Sequence, residues 1–124
     1  MRMSVALLGA LAIACGATYH VSRAADEARP KYTIKEVMKL AHKDGLLKKV
    51  TSGQGSKEDA EKLVELYTAM CADKPPKGEE SDWKTRTTAL VQAAKDAAAN
   101  KDGAKAELEK AANCAACHKL HKPA

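Results

Sequence analysis

From Ile34 to the C-terminus the apolar residues of this chain recur at intervals of three and four, nowhere alternate, and form no internal repeat. That period belongs to the α-helix, so the chain is confined to an all-α fold assembled from amphipathic helices. Four helices are predicted. Thr33-Ile34-Lys35-Glu36 is a capping-box sequence, and the first helix carries Ile34, Val37, Met38, Ala41, Leu46, Leu47 and Val50 on its apolar side. Thr51 to Ser56, with two glycines, ends it. Ser56 can cap a second helix, along which Ala60, Leu63, Val64, Tyr67, Met70 and Cys71 share one face. The run Asp73-Lys74-Pro75-Pro76-Lys77-Gly78 is the mid-chain crossover, because proline lacks an amide donor and clashes with the preceding turn. Ser81 and Asp82 suit the start of a third helix, lined by Trp83, Thr87, Leu90, Ala94, Ala97 and Ala98 until Asn100 to Gly103 breaks it. A fourth runs from about Ala104 through the C-terminal cysteines, with Leu108, Ala111, Ala112 and Ala115 at helical spacing.

The core of such a fold is short of bulk. Beyond the first thirty residues only Tyr32, Tyr67 and Trp83 are aromatic, there is no Phe, and the last two helices are dominated by alanine. A domain of about 100 residues must bury enough apolar area to offset chain entropy, and aromatic side chains usually supply much of it. Either the alanine-rich helices pack closely on one another, or a large planar group completes the core.

Near the C-terminus stands Cys114-Ala115-Ala116-Cys117-His118, a C-x-x-C-H run, which is the attachment signature of a c-type haem. Cys114 and Cys117, one turn apart, present two sulfurs on one side of a helix for thioether bonds to the two haem vinyl groups. His118 follows immediately as the proximal iron ligand. One motif implies one covalent haem c, and a porphyrin would fill the space that the alanines leave. A bare C-x-x-C-H also suits a redox dithiol, a structural disulfide or half of a zinc site. A thioredoxin-like dithiol is expected beside a βαβ pattern, which is missing. For zinc, Cys114, Cys117, His118 and His121 lie along one helical face, but a single straight helix cannot wrap four ligands tetrahedrally around an ion.

The first residues of the 124-residue chain read as an address. Arg2 supplies a positive start, Val5 to Ala14 is apolar apart from Gly9, and Ser22-Arg23-Ala24 offers a cleavage site. Residues 1–24 are therefore expected to be a secretory signal, residues 25–32 a flexible segment and residues 33–122 the helical domain. The apolar run falls short of the about 20 residues of a spanning helix, which makes an uncleaved anchor the weaker reading. Leu11 to Ala14 before Cys15 loosely resembles a bacterial lipoprotein box, so lipidation of Cys15 is the alternative, and with it a membrane tether. Export implies a periplasmic or other extracytoplasmic location.

Cleavage at Ala24 removes Arg2 and Arg23 from a chain with 21 basic and 16 acidic residues, leaving a small positive excess. The signs are interspersed, which argues against a nucleic-acid partner. No nucleophile and base pair and no paired carboxylates stand out, so an enzyme is not expected.

As a whole, residues 31 to 122 resemble the class II cytochromes c, the family of cytochrome c′ and its low-spin relatives. The resemblance rests on four helices, a Pro/Gly-rich crossover, Ile34-Lys35 and Met38-Lys39 in the first helix, Trp83 at the start of the third, and Cys114 to His118 in the last. The chain departs from it at His121-Lys122, where family members often carry Phe-Arg. The resemblance implies an antiparallel four-helix bundle with the haem in its core, and it knows homodimers. In the low-spin relatives a methionine of the first helix is the distal ligand, and Met38 stands at that place.

Without ligation, Met38 is a flexible core filler. His42, one turn beyond, is the less favoured distal candidate, because Lys39, Lys43 and Asp44 around it suggest a surface position. His121 is expected at the haem rim, as a propionate partner or exposed. Cys71 reads as a buried free thiol, or as half of an intermolecular disulfide. Lys84 and Arg86 lie near enough to Trp83 to contact a propionate, although nothing in the sequence requires it. The expected function is electron transfer by an exported monohaem cytochrome with redox-protein partners. The alternatives are a five-coordinate binder of NO or CO, and a zinc-binding or disulfide-stapled helical module.

Overall fold

A computed structural model of the chain describes residues 30–124. The expected signal over residues 1–24, the Cys15 lipidation site and residues 25–29 lie outside the described residues. Within them, Lys31 pairs with Glu65 and Tyr32 accepts a hydrogen bond from Lys62. All regular structure among the described residues is helical, and no helix there is long and apolar enough to cross a membrane.

The segment expected as one first helix is three pieces: α1 (Ile34–Val37), a π-helical stretch (Met38–Lys43) and α2 (Leu46–Thr51). Thr33 starts it with the expected capping box, its hydroxyl accepting from the Glu36 amide while the Glu36 carboxylate accepts from the Thr33 amide. The winding then loosens until the Asp44 amide bonds the Lys39 carbonyl five residues back, at 2.8 Å. Gly45, at φ 82°, takes the left-handed conformation that closes this end and opens α2.

Ser56 and Asp59 form a second capping box at the head of α3 (Lys57–Ala72). After the proline crossover, α4 (Glu80–Ala98) begins one residue before the expected Ser81, and Glu79 at its N-cap makes no side-chain cap bond. It ends where Asn100 adopts φ 52° and the Lys101 amide bonds the Asp96 carbonyl, the double-bonded helix stop that a left-handed residue permits. The expected fourth helix is also divided, into α5 (Ala104–Ala111) and α6 (Cys114–His121). Asn113 separates them, because its side-chain oxygen accepts the Ala116 amide at 3.0 Å and so starts a new helix.

The helix pair α3 and α4 forms the main packing unit, with α5 against α4 and α2, and with α1 and α2 against α3. Between them lie Val37, Leu63, Leu66, Tyr67, Trp83, Leu90 and Leu108, together with a series of buried alanines. Trp83 and Tyr67 are the largest fully buried side chains. Trp83 also fixes the crossover, its indole N–H donating to the Asp73 carbonyl at 3.0 Å.

Gly78 in this crossover has φ +83°, and a Cβ placed on it would stand 2.6 Å from the Leu120 carbonyl oxygen and 2.9 Å from His121 Nδ1. Both the backbone conformation and the close approach of α6 require glycine. Gly78→Ala is therefore expected to cost about 1–3 kcal/mol. Urea denaturation followed by circular dichroism checks this.

Candidate cofactor site

The cysteine motif occupies the first turns of α6, with its local geometry set by the Asn113 cap. Cys114 is exposed, Cys117 half-buried and His118 exposed, and Cys71, Cys114 and Cys117 carry free thiols. All three motif residues border a cavity of about 450 Å³. Met38 and His42, both half-buried, line the same cavity. Four residues apart in the π-helical stretch, the two side chains share one face, and His42 packs inward beside Tyr67 despite the charged residues on either side. The expectation of a surface position for His42 is thus corrected.

The remaining lining is mostly small or apolar, with Met70 from α3, Ala89 and Leu90 from α4, and Ala111, Ala112 and Ala116 around the α5–α6 junction. Arg86 and Lys110 place two cations at its edge. Arg86 uses its Nε to bond Asp82 Oδ2 at 2.6 Å, which leaves its terminal amino groups available to an acidic group. Lys84 is directed elsewhere, donating to the Cys71 carbonyl at 2.7 Å. Cys71 is half-buried, not buried as expected, with its sulfur 3.7 Å from the Thr88 hydroxyl.

Electrostatically these lining groups sense one another. His42 is held below the ordinary imidazole pKa, first by burial and then by the His118 imidazole. The buried Tyr67 phenol behind it is pushed up, by burial and then by Cys114. Burial likewise raises the Cys117 thiol. The volume falls in the about 300–1,000 Å³ range of cofactor sites. Paired thiols, two imidazoles and a thioether in one lining, with alanines among them and cations at the edge, fit a haem by donor chemistry and by space.

His121 has a different role from the one expected. It is 2% exposed, and both its ring nitrogens are engaged, Nδ1 lying 2.8 Å from the Lys77 carbonyl and Nε2 2.8 Å from Asp82 Oδ2. The ring also meets Trp83 edge-on, centroids 5.3 Å apart. It is a clasp that ties α6 to the crossover and to α4. Consequently Cys114, Cys117, His118 and His121 do not converge, and among the described residues no group of three His, Cys, Asp or Glu side chains is placed to hold a metal ion.

Asp82 sits between His121 and Arg86, and its carboxyl is held below the usual range by Arg86 first and His121 second. A depressed folded-state pKa stabilises the fold above the ordinary carboxylate value, and that stabilisation is lost as pH falls through the lower folded-state value. Asp82→Asn is expected to flatten the pH dependence of stability below about pH 4 while lowering stability at neutral pH. Denaturation midpoints measured across the acid range check both effects.

Sequence reasoning missed Asp82, Met70 and Lys110 as neighbours of the site, since they belong to helices whose register on α6 no local pattern reveals. Compared with known proteins, the chain matches no family model, no curated protein and no solved structure.

Proposed function

We propose that this chain is an exported, monohaem c-type cytochrome that carries electrons between redox proteins outside the cytoplasmic membrane. The observation that carries the reading is the cavity itself, which Cys114, Cys117 and His118 line together with Met38 and His42. In this reading α1 with α2, α3, α4, and α5 with α6 are the four arms of an antiparallel bundle around the haem.

The bound haem would supply a one-electron couple. Cys114 and Cys117 would anchor it through thioethers, and His118 would be an iron ligand. The family resemblance points to Met38 as the second protein donor, with His42 as its competitor. The apolar lining from Met70, Leu90 and the alanines would cover part of the porphyrin, and a pre-shaped site reorganises little when charge arrives. Arg86 would pair with a propionate, and so would Lys110 on leaving Glu107, to which it donates at 2.7 Å.

Pyridine haemochrome analysis of protein produced with a cytochrome c maturation system tests the assignment. Covalent haem is expected, together with sharp low-spin bands in the reduced-minus-oxidised spectrum that collapse in Met38→Ala. Absence of covalent haem would return the chain to a zinc-binding or disulfide-stapled module, a reading disfavoured by the inward turn of His121.

A second haem reading draws on the packing of Met38 against the core. If Met38 only fills space there, the distal side is open and the protein is a five-coordinate binder of NO or CO. Rapid carbon monoxide binding to a high-spin ferrous protein would establish that reading in place of electron transfer.

A further inference from the structure

The π-helical stretch puts two chemically competent donors on the same wall, and something must decide between them. Behind His42 lies Tyr67 of α3, which is 0% exposed. Its ring stands 5.8 Å from the imidazole, centroid to centroid, and tilted by 37°. Among the described residues the one hydrogen-bond partner of the Tyr67 hydroxyl is His42 Nε2, at 3.4 Å. A buried hydroxyl without a partner is costly, so Tyr67 has reason to retain this contact.

The contact occupies the nitrogen at the far end of the imidazole in either tautomer. If the phenol donates, the Nε2 lone pair is engaged, and if Nε2 carries the proton, it has no lone pair to give a metal. Only Nδ1, beside its own main chain, is then left. We propose that the Tyr67 hydroxyl selects the distal donor, holding His42 Nε2 out of the cavity so that the Met38 thioether meets the iron. Tyr67 is in this sense a positioning residue, and the proposal rests on the haem reading above. The choice has a functional consequence, because a thioether raises the reduction potential relative to a second imidazole.

Tyr67→Phe removes the hydroxyl and keeps the buried ring. Haem-loaded wild type, Tyr67→Phe, and Tyr67→Phe combined with His42→Ala are compared by electron paramagnetic resonance, magnetic circular dichroism and redox titration. The wild type is expected to show methionine–histidine ligation. Tyr67→Phe is expected to shift to bis-histidine ligation with a lower potential, and the double variant to return to the methionine signature. A merely structural role for Tyr67 would lower the melting temperature without exchanging the ligand.

Three results overturn the proposal. They are a wild type that is already bis-histidine, a wild type with a vacant sixth position, and a Tyr67→Phe protein with unchanged ligation and potential. A chain that takes up no covalent haem overturns the haem reading and this proposal together. Covalent haem with unchanged ligation in Tyr67→Phe overturns this proposal alone.

Discussion

Trp83→Ala is expected to cost about 3–5 kcal/mol, the range for deleting a buried tryptophan side chain. A domain of about 95 residues has roughly 5–14 kcal/mol of stability, so this single change removes a large part of it. At about 4–8 °C per kcal/mol for a domain of this size, the melting temperature should fall by roughly 12–40 °C. Three losses coincide at this residue. The core loses its largest fully buried side chain. The Asp73 carbonyl loses its indole donor. His121 loses the ring against which it packs edge-on.

The last of these carries the effect to the cavity, since His121 clasps the helix that bears Cys114, Cys117 and His118. Trp83→Phe separates the contributions: it keeps most of the buried bulk and removes the N–H, for an expected loss of about 1–2 kcal/mol. Thermal and guanidinium melts of the two variants decide the matter, and equal losses would show that the hydrogen bond, not the bulk, dominates.

The same contacts mark how far the sequence could be read. Local signals read through. Thr33 and Glu36 make the capping box that their spacing suggests, Ser56 caps α3, and the two prolines fall in the crossover. The apolar faces were legible for the same reason, since Leu63, Tyr67, Trp83, Leu90 and Leu108 are all buried. Where two local signals conflicted, the periodic one was misleading. Gly45 and Asn113 are ordinary helix-stop and helix-start residues, yet the apolar period continues in phase across both, because the segments on either side face the same core.

Long-range pairings left no local trace. His121 was expected at the haem rim, as a propionate partner or exposed, but its partners Lys77 and Asp82 lie 44 and 39 residues away. His42 looked exposed because its sequence neighbours are charged, whereas the contact that holds it inward is with Tyr67, 25 residues away. The motif identified one wall of the cavity at once. The rest of its lining, where the proposed activity is decided, required the π-helical stretch, α3 and α6 to be placed together.

If the chain carries the proposed haem, its attachment chemistry yields the second large expected effect. With both Cys114 and Cys117 changed to alanine, haem can be held only through His118 and the distal donor, and acidified organic solvent should extract it completely. Each single substitution should leave one thioether and hence resistant haem in reduced yield. Tethering fixes the haem at an effective concentration of about 1 mM or more. Against roughly 1 μM free haem, this corresponds to about a thousandfold in occupancy, or about 4 kcal/mol. Binding that favours the folded state adds to its stability, so the double variant should also unfold at markedly lower denaturant than the haem-loaded wild type. Because Cys114 is exposed and Cys117 half-buried, loss of the thiols themselves disturbs little packing. An equal loss of stability in haem-free wild type and haem-free double variant would therefore assign the whole difference to the tether. A double variant that keeps its stability and releases nothing on extraction would remove these two cysteines from the site.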